Sequence, residues 1–443
     1  MARSTLPAAL VLSAGLSGGC DWREFDEVLA KAPVLSIGAP EGYSSRDVGR
    51  VVVPLTVPSS RAATVSARFL IAGTETPSLA IVDLDSAGRA QTRVASKVEI
   101  MDMAGEANAV VKSAVELRDG RILLGTPSYS LNPQQVVRGR IYFLTLVDGP
   151  MGTAFQLTRG GDPAGRIGYG LGVAAGRLTG TAEDLVVASQ QDVVLLEGGN
   201  EAAPVPSAPE CALALDDTAL EKYRFRALAP GDLIAGGNDE VAVGVPREGT
   251  EPGRVVILQR GAGVLTCPVV IDAPMRLPRF GNTVTAADFT GDGKLDLLVG
   301  APPLRAFLFA GPFVAGMAPR MTLELKHPTL PDTSATGDFG FRVFGADLDG
   351  KAGLEMLVSA PELPSGGDTG AGIVFAFKSD GTLLNEIADN SPQADASFGF
   401  SLASVNFTPR GCGTSRHVLL VGAIREVFTF FRVPGGPPDP RCL

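Results

Sequence analysis

FGNTVTAADFTGDGKLDLLVGAP, residues 280–302, is the stretch that decides the fold. It runs from an aromatic-glycine pair through a β-branched run, a Gly/Asp turn and a second apolar run to a Gly-Ala-Pro corner. FGFRVFGADLDGKAGLEMLVSAP, residues 339–361, repeats it. Working outward, the corner recurs at Gly73, Gly125, Ala188, Gly244, Gly300, Ser359 and Gly422, a period of about 58 residues. Seven copies at one period argue for a single array, although a chain of 443 residues would ordinarily suggest two or three domains.

Each copy reads as four strands, a to d. Strand a opens near the Phe-Gly pair and strand b ends at the corner, where Gly tolerates unusual dihedrals and Pro stops the ladder. The c strands are β-branched and aromatic runs bounded by Gly and Pro, such as LAIVDLD (79–85), GRIYFLTL (139–146) and EVFTFFRV (426–433). The d strands are CALALD from Cys211, CPVVID from Cys267, MTLELK from Met321 and LLNEIAD from Leu383. The seventh copy ends after its c strand, while an orphan strand, APVLSI (32–37), precedes the first. The expectation is an all-β, seven-bladed β-propeller of four-stranded blades over residues 32–435, its ring closed by that N-terminal strand. A β-solenoid is the runner-up, but units of this length are too long for one coil.

Gly (54) and Pro (33) together make up roughly a fifth of the chain, as frequent turns require. A net charge of −10 argues against a nucleic-acid partner and favours cations. Residues 1–19 read as a signal peptide: Arg3 at the positive end, an apolar stretch over 6–16, then Ser17-Gly18-Gly19. Cys20 follows at once. This resembles a bacterial lipoprotein signal, which implies lipidation at Cys20, a tether over 20–31, and a lipid-anchored place in the bacterial cell envelope. Ordinary secretion and a retained anchor are the alternatives. The anchor is the expected membrane contact, since no other segment has the ~18 apolar residues of a span. Four further cysteines in an exported chain suggest two disulfides out of three possible connectivities. Cys412 with Cys442 would tie down the tail at 436–443, leaving Cys211 with Cys267; four buried thiols are the alternative.

The a–b turn of unit five is DFTGDGKLD. Asp288, Thr290 and Asp292 stand at alternate positions, Asp296 closes the loop, and Gly291 and Gly293 permit the turn. With the Lys294 carbonyl these hard oxygens suit Ca²⁺; an Asp-Gly turn between strands is the plain alternative. A second, weaker metal loop in unit six would use Asp347, Asp349 and Glu355, where Lys351 removes a ligand and repels a cation. Unit four keeps only Asp232 and Glu240, and units one to three lack the pattern, so hydrogen bonds or salt bridges are expected to close those loops.

Phe-Gly, Asp-x-Thr-Gly-Asp-Gly-x-x-Asp and Val-Gly-Ala-Pro together resemble the FG-GAP repeat of the integrin α-subunit propeller and its bacterial relatives. The resemblance covers roughly residues 32–433 and is strongest in units five and six. It implies that Asp288, Thr290, Asp292, Lys294 and Asp296 ligate calcium, that such metals stiffen the loops on one face, and that partners bind loops on the opposite face. One good metal loop in place of several weakens the analogy with calcium-regulated adhesion.

The two histidines, His327 and His417, have no triad-like company. His327 reads as a surface-loop residue in a d–a connection and His417 as structural. The b–c loops vary most, and long loops on a rigid scaffold often carry function. Tyr129, Asn132, Gln134 and Arg138 in unit two, Arg247 and Glu248 in unit four, and Glu362 in unit six are the candidate binding side chains. The expected function is a monomeric, non-enzymatic, envelope-tethered recognition or scaffold propeller for a protein or glycan, adhesion-like, with a structural calcium site. The alternative is a polysaccharide hydrolase or lyase acting at the central mouth.

Overall fold

The structure is a computed structural model. It describes residues 35–38, 48–73, 79–86, 90–93, 110–127, 139–149, 152–161, 166–180, 182–215, 226–277, 279–328, 337–348, 352–407 and 416–430. Among these residues, twenty-eight strands form seven four-stranded antiparallel sheets, the blades of a β-propeller. The inner strands of blades one to seven are Val51–Leu55, Ser113–Glu116, Gly172–Gly176, Leu228–Gly231, Thr283–Ala287, Val343–Ala346 and Ser401–Phe407. Each packs against the next, and the seventh packs against the first, so the ring is complete.

The second strand of a blade is covered on both faces by neighbouring blades. That is why Glu240–Val245, Asp296–Ala301 and Glu355–Ala360 are buried at every position and read as continuous apolar runs without alternation. Seven hydrophobic cores result, one between each pair of adjacent blades. The repeat's phenylalanines seed them. Phe280 lies edge-on to Phe307 and Phe309 with ring centroids 5.8 and 5.9 Å away. Phe339 meets Phe375 and Phe377 at 5.6 and 6.2 Å, and Phe398 meets Phe428 and Phe430 at 5.1 and 6.1 Å. Edge-to-face geometry of this kind adds about 0.5–1.5 kcal/mol per pair beyond area burial. In blade three the fully buried Tyr169 takes the phenylalanine's place.

The glycines of the repeat meet across the blade boundary. A Cβ on Gly300 would stand 2.2 Å from the carbonyl oxygen of Gly340 in the next blade; Gly244 and Gly281, and Gly422 and Gly49, are related in the same way at 2.0 and 1.9 Å. The receiving Gly281 and Gly340 have φ of 86° and 94°, which side chains disfavour. Inner strands are also sewn together: the Asn282 amide donates to the Phe341 carbonyl (2.9 Å), Arg342 Nε to that of Phe400 (2.9 Å) and Ser401 Oγ to that of Gly49 (2.6 Å). The seam closes as the sequence predicts. Leu35–Gly38 pairs antiparallel with Glu426–Phe430, Leu35 opposite Thr429, and Ile37 enters the core between blades seven and one.

Two expectations are corrected. CALALD is not the outer strand of blade three: that strand is the short Val205–Pro206, and Cys211 ends a 3-10 turn, Pro209–Cys211. Pro206 and Pro209 limit the ladder, and the turn brings Cys211 beside the outer strand of blade four, Leu265–Asp272. There Cys211 and Cys267 are joined as a disulfide across 56 residues. In the chain-entropy account a loop of that length contributes about 4 kcal/mol. His327 is not on a surface loop; it is buried between Phe339 and Phe375, and burial pushes its pKa down. In blade three the receiving glycine is Gly170, whose carbonyl oxygen a Cβ on Gly125 would meet at 2.2 Å. Cys20, Cys412 and Cys442 lie outside the described residues.

Gly300→Ala should destabilise the protein by about 1–3 kcal/mol or more in urea unfolding, because backbone faces the added methyl. Gly38→Ala, which meets nothing within 4 Å, should change stability by less than about 0.5 kcal/mol. Equal costs would refute the blade contact as the constraint. Deleting residues 1–38 should bare the edge of Glu426–Phe430 and raise the oligomeric fraction in size-exclusion chromatography; an unchanged monomer peak would overturn the closure.

Candidate functional site

Antiparallel strands place all a–b turns on one face of the ring and all b–c loops and Phe-Gly starts on the other. The two candidate sites therefore lie on opposite faces.

On the a–b face, Asp288 is half-buried, Thr290, Asp292 and Lys294 are exposed, and Asp296 is fully buried at the start of its strand. The Asp288 carboxylate accepts from the amides of Gly291, Asp292 and Gly293 at 2.6, 3.1 and 2.8 Å. Asp292 Oδ1 accepts from the Lys294 amide at 2.8 Å. Asp296 accepts three amides, Phe289 and Thr290 on Oδ2 (both 2.9 Å) and Gly311 on Oδ1 (3.0 Å). Among the described residues no three carboxylates, imidazoles or thiols stand close enough to hold a metal. The donor count alone leaves room for a hard cation. A carboxylate offers about four lone-pair sites; Asp288 and Asp296 each have three used by amides, Asp292 one, and Thr290 Oγ1 and the Lys294 carbonyl add neutral oxygens.

The Asp296 position recurs in register. Asp184 in blade three accepts the Thr179 amide (2.8 Å) and the Gly198 amide (2.8 Å). Glu240 in blade four accepts the amides of Leu233 and Ile234 at 3.0 and 2.8 Å, and burial pushes its pKa up. Glu355 in blade six accepts the Leu348 amide at 2.6 Å. Glu355, expected as a weak ligand, thus accepts an amide of its own loop as Asp296 does. Asp347 lies half-buried nearby, and Asp349 and Lys351 are outside the described residues. Where the motif is weak, the neighbouring loop supplies the acid. Glu116 accepts the Thr56 amide, Glu183 the Arg118 amide and Asp239 the Arg177 amide. In blade five the loop is tied onward, with the Leu354 amide donating to the Asp288 carbonyl at 3.0 Å.

On the b–c face, Glu248 and Glu362 converge with two residues the sequence reading missed. Arg279 Nε lies 3.6 Å from Glu248 and its Nη1 3.4 Å from Asp338. Burial pushes the Asp338 carboxyl up and Arg279 opposes this. For Glu362, burial comes first, then the like charge of Asp338, with Arg279 again opposing. The signal was present: Arg279 and Asp338 immediately precede the Phe-Gly pairs of units five and six. Arg247 instead turns its Nη1 to the Ala214 carbonyl at 2.5 Å. Tyr129, Asn132, Gln134 and Arg138 lie outside the described residues.

The FG-GAP repeat model matches residues 280–305. Human phosphatidylinositol-glycan-specific phospholipase D is 28% identical over 231 residues, 44% of this chain and 26% of that protein. Human integrin alpha-IIb is 33% identical over 136 residues, 28% of this chain and 13% of that protein. The chain thus carries an FG-GAP repeat within a seven-bladed propeller and spans about a quarter or less of these relatives' length.

Asp296→Ala should cost about 3 kcal/mol in urea unfolding with chelator present, since it strands buried amides at about 1–3 kcal/mol each. Asp292→Ala under the same conditions should stay within about 0.5 kcal/mol of wild type. A neutral Asp296→Ala would remove the clamp reading.

Proposed function

We propose that this chain is a non-enzymatic recognition propeller of the cell envelope, exported, anchored by lipid at Cys20, and binding a protein or glycan through its b–c loops. The observation that carries the reading is the junction on that face: the b–c loops of blades four and six bring Glu248 and Glu362 to Arg279 and Asp338. The four charges come from separate blade connections held by a rigid ring, the usual setting for binding residues. The Cys211–Cys267 bond supports export into an oxidising compartment. On the opposite face, Asp288, Thr290, Asp292, Asp296 and the Lys294 carbonyl would hold one calcium ion. Bound there, calcium would neutralise carboxylates that otherwise crowd one loop and stiffen it without taking part in recognition.

The similarity to a phospholipase D keeps a second reading open, a hydrolase or lyase acting on polysaccharide at the central mouth. It needs carboxylates there. Among the described residues the inner strands carry one, Glu116, whose oxygens accept the amide and hydroxyl of Thr56.

A glycan and protein binding screen with wild type and a Glu248→Ala/Glu362→Ala double variant tests the loop assignment. The expected result is a ligand whose affinity drops at least about tenfold in the double variant, as for loss of one charge-assisted contact. Turnover of a polysaccharide by wild type would sink the non-enzymatic reading. For the metal, calcium at ~100 times its dissociation constant should add about 2.7 kcal/mol of stability. Asp292→Ala should abolish that gain; an identical response of both proteins to calcium and chelator reduces the loop to a turn. Mass spectrometry of the mature N-terminus should find lipidated Cys20, and an unmodified terminus elsewhere ends the anchor assignment.

A further inference from the structure

Between the outer strand of blade three and the inner strand of blade four, residues 208–215 form a strap that belongs to no sheet. At the rim, Ser207 makes a parallel bridge with Leu265, and the Ala208 amide donates to the Leu265 carbonyl at 2.9 Å. There the Cys211–Cys267 disulfide ties the strap to the outer strand of blade four. Beyond it, three arginines hold three consecutive carbonyls. Arg254 Nη2 donates to that of Ala212 (2.6 Å), Arg226 Nη2 to that of Leu213, and Arg247 Nη1 to that of Ala214 (2.5 Å). The Leu215 amide then donates to the carbonyl of Gln190, in the b–c turn of blade three, at 2.8 Å. The strap thus runs from the rim onto the b–c face.

Two features show a segment held against resistance. Ala212, directly after Cys211, has a φ of 46°, in the left-handed region that a side chain disfavours. Two like charges are also kept close: burial pushes the Arg226 pKa down to about 9, Asp192 opposes this, and Arg247 adds to it. The two ends of the disulfide differ in access. Cys211 is buried, whereas Cys267 is half-buried, where the ladder of blade four slips register between Ile257 and Gln259.

We propose that the Cys211–Cys267 bond is a redox latch: a dithiol opens it, and the strap and the b–c loop of blade four, 246–253, then gain mobility together. A thiolate of the dithiol attacks the half-buried Cys267 sulfur, and Cys211 leaves as a thiolate and takes up a proton. The second thiol resolves the mixed disulfide, so the dithiol is oxidised to a disulfide and both cysteines are reduced. No strand ladder runs through the strap, so the seven sheets keep their hydrogen bonds. What is lost is the anchor beside the strained Ala212 and the carbonyls that follow it. Arg247 lies in the b–c loop of blade four, next to Glu248, and its bond to Ala214 passes the loosening on to that loop. A consequence for ligand binding would rest on the b–c loop reading; the latch itself does not.

The test is hydrogen exchange of the full chain, read by mass spectrometry with and without dithiothreitol. A Cys412→Ser/Cys442→Ser chain confines reduction to the Cys211–Cys267 bond, and thiol titration shows that it opens under native conditions. Reduction should speed exchange at least about tenfold over 208–215 and 246–253 while leaving the strands Glu240–Val245 and Arg254–Arg260 protected. A Cys211→Ser/Cys267→Ser chain should exchange at the reduced rate with or without dithiothreitol. If that variant fails to fold, the reduced Cys412→Ser/Cys442→Ser chain decides alone. A bond that resists millimolar dithiothreitol, equal exchange in both states, a strap that loosens without the loop, or lost protection throughout the blades, as for a plain structural staple, would each overturn the latch. A binding screen in which Glu248→Ala/Glu362→Ala changes nothing would refute the loop reading and leave the latch standing.

Discussion

A glycine backbone pressed against the backbone of the next blade is the constraint on which this ring depends. Gly244, Gly300 and Gly422 end second strands, and each meets the carbonyl of Gly281, Gly340 or Gly49 at a distance that leaves no room for a methyl. The contact fixes how closely blades approach, and so whether seven of them close. It also explains why the motif couples two glycines that lie far apart in sequence. The Gly of Gly-Ala-Pro must be small for the sake of the following blade's Phe-Gly, and Gly281 and Gly340 take a left-handed φ as they aim their carbonyls back. Behind the contact, the adjacent phenylalanine fills the core under its own third strand, so one dipeptide sets both spacing and packing.

A second periodic constraint operates at the other end of the second strand. Asp184, Glu240, Asp296 and Glu355 occupy one register position, and each accepts amides of its own loop. A buried carboxylate that collects two or three amides keeps a tight turn closed without any ion. In blade five the same residue is also the last oxygen of a hard-donor series. For the proposed calcium site, clamp and ligand would not be competing roles for Asp296. The lone pairs taken by Phe289 and Thr290 leave Oδ1 with capacity beyond Gly311, and the exposed Asp292 adds charge that the clamp does not use.

The period, the blade count and the seam were legible in the chain because they rest on residue types that only one backbone geometry accepts: glycine at the interblade contact, phenylalanine in the core, a spare strand at one terminus. The Asp288–Asp296 loop was legible as a pattern, but its carboxylates were not legible as clamps, because alternating acids look the same whether they face a cation or their own amides. The outer strand of blade three was misplaced since CALALD alternates as a strand should, yet Pro206 and Pro209 end pairing before it. His327 was misplaced because His-Pro suggests a surface turn, whereas Phe339 and Phe375 come from the next blade and enclose it. On the b–c face Glu248 and Glu362 were found from loop variability, but Arg279 and Asp338 needed three-dimensional placement to join them.

Where the motif is lost in blades one to three, acids of the following blade take up loop amides. Glu116 reaches Thr56 in blade one, Glu183 reaches Arg118 in blade two and Asp239 reaches Arg177 in blade three, each from the following blade. An acid that would have closed its own loop closes the preceding one instead. The a–b face thus combines two devices: acids that close their own loops in blades three to six, and stitches from the following blade to blades one, two, three and five. Loops bound to their neighbours have little freedom to change sequence independently. On the b–c face the long loop of blade six is likewise tied onward, Thr369 and Gly370 accepting the amides of Asp395 and Ser397, while its side chains, with those of blade four, are where the charged junction of blades four to six has been built.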